Sequence, residues 1–184
     1  MTPEELGKWL SENLDEIYTF MDYEATIDSE KELAVTLGHW LGSDFWATTK
    51  HRFIHLGIDG AGSQFAAWIR PGETQIPVVF FGSEGGAGAL ATSCKNWAKT
   101  IAYAPAIEEY TEPGHRRLDP GQNWKIDGDE VGQDQADEAK AAQATYRAAV
   151  EKRLGKMPSL HQLMTDLDKV DAEFVQWVAS VTDH

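Results

Sequence analysis

Phe53-Ile54-His55-Leu56-Gly57-Ile58, Asp59-Gly60-Ala61-Gly62-Ser63, Gln64-Phe65-Ala66-Ala67-Trp68-Ile69, Arg70-Pro71-Gly72-Glu73 and, two residues on, Ile76-Pro77-Val78-Val79-Phe80-Phe81 form the stretch that decides the fold. Three short runs of β-branched and aromatic residues alternate with Gly, Asp and Pro turns, the pattern of a β-meander. The spacing predicts strands near 52–58, 64–70 and 76–82. Ile54, Leu56 and Ile58 share a face because strand side chains alternate. The third run is apolar on both faces, as a strand covered on both sides would be. Gly82 to Gly88 is too rich in glycine to read as a regular element. Ser93 then reads as the N-cap of a helix near 93–103, with Cys94, Trp97, Ala98 and Ile101 on its core-facing stripe. Trp68, Val79, Phe81, Trp97 and Ile101 are expected in the core.

Upstream, Thr2-Pro3-Glu4-Glu5 carries an N-cap, a proline at the first helical position and a capping-box glutamate. Leu6, Leu10, Leu14, Ile17 and Met21 continue at helical spacing, predicting one helix to about Phe20 or Met21. Asp28-Ser29-Glu30 opens a second helix through Leu33 and Leu37 that fades at Gly38 or Gly42. Trp40, Leu41, Phe45 and Trp46 are expected to be buried beside the sheet.

Downstream, prolines and glycines break all periodicity between Pro105 and Gln135, predicting an acidic loop or linker at 105–135 whose residues 106–134 exchange their amides rapidly. Residues 136–184 read as a helical extension. It holds one helix over Ala136–Leu154, then a capping box at Ser159–Gln162 and a last helix. That helix carries Leu160, Leu163, Leu167, Val170, Phe174, Trp177 and Val181 in a heptad-like seam. The seam is expected to pack on the Ala136–Leu154 helix or on the meander, with a homodimer contact as the other use. The fold class expected is α+β: a mostly antiparallel sheet packed against helices, in one domain over 1–184.

Charge narrows the function. The net charge is −14, which argues against direct contact with nucleic acid. Its distribution is uneven: residues 1–30 carry −8, 31–104 carry +1, 105–138 carry −7 and 139–184 carry zero. Such acidic segments either keep a chain soluble or meet a basic partner by complementary potential. The candidate partner-binding acids are Glu108, Glu109, Asp127, Asp129, Glu130 and Asp134, with Asp15, Asp22 and Glu24 as second choice. A lone cysteine, Cys94, excludes a disulfide framework within the chain and suits a reducing compartment. The acidic Met1–Glu5 start does not resemble a signal peptide, and no apolar run approaches the ~20 residues that span a bilayer. A cytoplasmic protein, monomeric or weakly dimeric and without membrane contact, is the expectation.

Catalytic and cofactor motifs are thin. Gly86-Ala87-Gly88-Ala89-Leu90-Ala91 fits G-x-G-x-x-A, but it begins five residues past Phe81 and follows a meander rather than a βαβ unit. Asp127, Asp129, Gly132 and Glu138 fit positions 1, 3, 6 and 12 of a calcium loop, yet Val131 stands where an oxygen ligand belongs and the apolar position holds Asp134. His51 and His55 sit about 13 Å apart on a strand, too far for one metal. No nucleophile elbow, zinc-protease motif or Walker loop is present. No cofactor, no metal and no catalytic set is expected.

The order of features from 40 to 104 resembles the SUKH superfamily. The features are an apolar strand, an Asp-Gly turn, an aromatic strand with Trp68, then Pro77-Val78-Val79-Phe80-Phe81-Gly82-Ser83-Glu84-Gly85, and Ala91-Thr92-Ser93 leading into a helix with Trp97. The resemblance implies an α+β domain and a non-enzymatic, protein-binding role. Bacterial members act as immunity proteins that bind and neutralise toxins of competition systems, and others act as interaction scaffolds. The expected function is therefore an immunity protein for a cognate toxin with a basic surface, such as a nuclease. A scaffold or regulatory protein is the first alternative, and a small-ligand-binding protein or enzyme using Gly82–Gly88 is the second. The long N-terminal helices and the 80 residues after Ala104 have no counterpart in that pattern. They either build a partner-specific part or complete the core.

Overall fold

The computed structural model describes residues 1–21, 23–26, 28–42, 45–107, 118–120, 125–126, 129–130 and 132–182. The chain runs α1 (Pro3–Glu12), α2 (Leu14–Met21), β1 (Tyr23–Glu24), α3 (Glu30–Leu41), α4 (Phe45–Thr48), β2 (Arg52–Asp59), β3 (Gln64–Ile69), β4 (Val78–Phe81), β5 (Ala87–Ala91) and α5 (Cys94–Ile101). It continues through β6 (Pro105–Ile107), β7 (Leu118–Pro120), β8 (Lys125–Ile126), β9 (Asp129–Glu130), α6 (Gln133–Leu154), α7 (Leu160–Leu163) and α8 (Leu167–Thr182). The α+β class holds, with one five-stranded antiparallel sheet in the order β1-β2-β3-β4-β5.

The local signals act as read. Thr2 and Glu5 form the capping box of α1 and Ser159 and Gln162 that of α7, and the helix start at Ser29 holds a further box, with Glu32, that was not among those readings. Each satisfies backbone N–H groups that a helix start leaves unpaired. The meander β2-β3-β4 lies where the alternation put it, and Ser93 caps α5.

Cross-strand partners define two faces, because residues opposite each other point the same way. Phe53 faces Trp68, and Gln64 faces Phe81. That face receives Phe174 and Trp177 of α8, with Phe45 of α4 on Phe53 and Trp40 of α3 on Phe81. The opposite face presents Phe65 and Phe80, which pack on each other, and Phe65 also meets Tyr23 and Trp97. There α1 and α5 pack, and α6 closes behind them. The Tyr146 hydroxyl donates to the Ala98 carbonyl at 3.1 Å and accepts from Trp9 Nε1 at 3.2 Å, tying three helices together. Gly57 is required where β1 crosses β2: a Cβ there would collide with the Glu24 carbonyl oxygen and the Tyr23 ring. That room lets the Tyr23 hydroxyl reach the Leu56 carbonyl.

Several expectations change. The first helix breaks at Asn13, whose N–H bonds to Leu10 and whose side chain bonds to the Trp9 carbonyl, so α2 can turn toward α6. The last helix is likewise split, with Met164–Asp166 between α7 and α8. The α8 part of the seam packs on the sheet, whereas α7, carrying Leu160 and Leu163, packs against α5. Residues 87–91 form strand β5, and the 105–135 stretch contains the two-stranded pairs β6-β7 and β8-β9. Amide exchange over most of 106–134 concerns residues outside those described. Residues 136–184 complete the core: Tyr146, Val150, Leu167 and Phe174 belong to the same buried cluster as Leu6, Trp68 and Trp97. Trp46 is not in that cluster; it is 57% exposed.

Candidate functional site

Helix α2 buries Ile17, Phe20 and Met21, and Phe20 packs on Tyr146 of α6. The opposite face therefore carries Asp15, Tyr18 and Thr19, which meet because residues three and four apart are neighbours on a helix. Strand β1 turns Tyr23 inward and Glu24 outward. The result is an open concavity of about 480 Å³ lined by Leu14, Asp15, Tyr18, Thr19 and Glu24. Tyr18 is 60% exposed and shares this lining with the carboxylate residues Asp15 and Glu24.

The structure thus brings together two of the second-choice acids, Asp15 and Glu24. Asp22 lies outside the described residues. Among the first-choice acids, Glu108, Glu109 and Asp127 also lie outside them. Asp129 and Glu130 form β9, whose backbone pairs with β8. Asp134 is exposed in the first turn of α6, a place the helix dipole favours for an acid. Sequence reasoning missed Tyr18. The available signal was an aromatic residue off the apolar Leu6–Met21 stripe, three residues after an acid.

The groups considered for chemistry are otherwise engaged. Gly82 to Gly86 make the β4-β5 hairpin: Gly82 N–H donates to the Gly86 carbonyl at 2.7 Å, and Trp40 Nε1 donates to the Gly82 carbonyl at 2.9 Å. Residues 87–91 continue as a strand and do not open a helix, so the backbone geometry that cradles a pyrophosphate is not formed there. Cys94 is buried, and burial pushes its thiol up to about 12, leaving it protonated at neutral pH. Among the described residues no three His, Cys, Asp or Glu side chains converge as a metal site. No helix among them is long and apolar enough to cross a membrane.

Two histidines are structural. His51 Nδ1 accepts from Trp68 Nε1 at 2.9 Å, and its ring stacks on Trp177 at 4.8 Å. His55 is 2% exposed, with Nδ1 3.2 Å from the Asp28 carboxylate. Burial pulls both imidazoles below the ordinary 6.5; Arg70 adds to the effect at His51, and Asp28 opposes it at His55. The unfolded chain therefore binds protons at these positions more readily than the folded one. Their contribution is complete above about pH 6.5 and is lost progressively as pH falls through the window below it. The unfolding midpoint should drop between pH 7 and pH 5, before carboxylates titrate. The His51→Gln/His55→Gln variant should show a smaller drop in a thermal scan at each pH. An undiminished drop would assign the effect to other groups.

Comparison of the chain with protein-family models, with curated proteins and with solved structures returned no match.

Proposed function

We propose that this chain is a non-enzymatic protein-binding module. In this reading it serves as an immunity protein that neutralises a toxin with a basic surface. The concavity lined by the exposed Tyr18 together with Asp15 and Glu24 carries the proposal. Exposed tyrosine is the kind of residue that anchors interfaces, and an Arg or Lys set over its ring gains ~0.5–2 kcal/mol. The two carboxylates add charge complementarity, and the −8 and −7 segments extend the acidic field. The resemblance to the SUKH superfamily over residues 40–104 supports the same class of role and adds the toxin.

The test is co-expression with the product of the neighbouring gene, read as growth rescue, followed by association kinetics on the purified pair. Tyr18→Ala should weaken binding by ~2 kcal/mol or more, about thirtyfold, chiefly through faster dissociation. Because Tyr18 is exposed, the unfolding midpoint should stay within the small range of surface substitutions. Neutralising Asp127, Asp129, Glu130 and Asp134 together should slow association and flatten its salt dependence, since the screening length is ~8 Å at physiological salt. Absence of rescue would overturn the immunity reading. Rescue with unchanged kinetics in Tyr18→Ala would move the interface away from α2.

A further inference from the structure

Helix α3 has two apolar faces. Leu33, Leu37 and Leu41 point into the core. A second stripe, Lys31, Ala34, Val35, Gly38 and His39, follows the i, i+3, i+4, i+7, i+8 spacing of one helix face and looks outward. With Trp46 of α4 as its wall it lines a groove of about 300 Å³. Val35 is 73% and Trp46 57% exposed, two of the few large apolar side chains left in water among the described residues. A smaller recess adjoins the groove, shares Ala34 and Trp46, and reaches down to Phe45 and Phe53.

Charge separates this surface from the Tyr18 concavity. Among the described residues the titratable side chains lining the groove are Lys31 and His39, and no described carboxylate lines it. The groove lies in the one part of the chain, residues 31–104, whose net charge is positive. In the recess, Glu30 is held by the Arg52 guanidinium through two bonds of 2.7 and 2.9 Å. An apolar centre with the Lys31 ammonium at one edge and the N–H-bearing imidazole of His39 at the other complements an apolar segment bearing carboxylates, and it penalises one bearing lysines. Lys31 and His39 are eight residues apart, about 12 Å along the helix axis, which spans two turns of a helix laid alongside.

We propose that the α3–α4 groove docks an amphipathic helix of a partner protein, its apolar stripe seated against Val35 and Trp46 and its flanking carboxylates meeting Lys31 and His39. This is the helix-in-groove mode of recognition. It is a second contact of opposite charge preference to the Tyr18 surface, argued from different residues, and it stands whether or not the immunity reading does.

The test uses the full chain labelled with fluorotryptophan, with the Trp46 resonance assigned by its loss in Trp46→Phe. The probes are two capped 14-residue helical peptides with the same leucine stripe, one flanked by glutamates and one by lysines. The glutamate peptide is expected to move the Trp46 signal and to bind at least tenfold more tightly than the lysine peptide. Lys31→Glu, an exposed substitution, is expected to erase or reverse that preference while leaving the unfolding midpoint unchanged. Val35→Glu should block the glutamate peptide. Three results would overturn the proposal. One is a Trp46 signal that does not move with the glutamate peptide. Another is equal or tighter binding of the lysine peptide, which would mean an acidic protein is merely collecting cations. The third is a Trp46 signal that shifts with protein concentration alone, which would make a second copy of this chain the occupant.

Discussion

Replacing Trp97 by alanine is expected to destabilise the protein by ~3–5 kcal/mol, the range for truncating a large aromatic side chain in a packed core. Trp97 is fully buried on α5 and stacks on Phe65 of β3 at 6.0 Å between ring centroids. Its removal leaves a cavity between the sheet and the α1–α5 layer that backbone on both sides prevents from closing. The indole contributes by shape and not by its polar atom, since Nε1 has no hydrogen-bond partner among the described residues. Trp97→Phe should therefore cost much less, within about 1.5 kcal/mol plus the smaller cavity term. Denaturant titration of both variants checks this. A loss below ~1 kcal/mol in Trp97→Ala would mean that α5 does not carry the core, and equal losses in the two variants would mean that the N–H matters.

Phe174→Ala is expected to cost as much, ~3–5 kcal/mol, on the other face of the sheet. The Phe174 ring stands edge-on to Trp68 at 5.0 Å and to Phe81 at 5.5 Å, and stacks on Trp177 at 6.0 Å. Aromatic pairs in these geometries add ~0.5–1.5 kcal/mol beyond area burial. Two polar ties hold the helix in register around it. Arg70 lies over the Trp68 ring and bonds the Glu173 carboxylate at 2.8 and 2.9 Å, and Asp171 accepts the Ala89 N–H of edge strand β5 at 2.6 Å. Val175, the next residue and partly exposed, is the control: its replacement by alanine should stay within about 0.5 kcal/mol. Comparable losses at 174 and 175 would mean that α8 presents a different face to the sheet.

The second result bears on function. Because α8 supplies the lid over Trp68 and Phe81, residues 136–184 cannot be spent freely on partner recognition. Substitutions on their buried side should reduce binding only by unfolding the protein. Among the described residues, two surfaces that the core does not use are the outer side of α2 with Glu24 and the outer side of α3 with Trp46. The two differ in charge, so salt and charge reversal report on them separately.

What the sequence by itself determined is what short-range rules govern. Capping boxes at Thr2, Ser29 and Ser159 depend on residues three apart, and the meander strands depend on side-chain alternation over six residues, so both were legible before any tertiary contact was known. Apolar identity also placed Trp68, Val79, Phe81, Trp97 and Ile101 inside. Only the tertiary structure decided the rest. Strand β5 is built of Ala, Gly and Leu, with little strand preference of its own; it forms because β4 offers a hydrogen-bonding edge and Asp171 of α8 closes the other side. Trp46 and Trp97 are the same residue, yet one faces water and the other lies in the core, because burial depends on which helix lands on a side chain. Asp15 and Glu24 share one concavity across nine positions of sequence because a break at Asn13 and an edge pairing with β2 bring α2 and β1 together. A site of that kind is a property of two surfaces meeting, which no spacing rule along a single segment encodes.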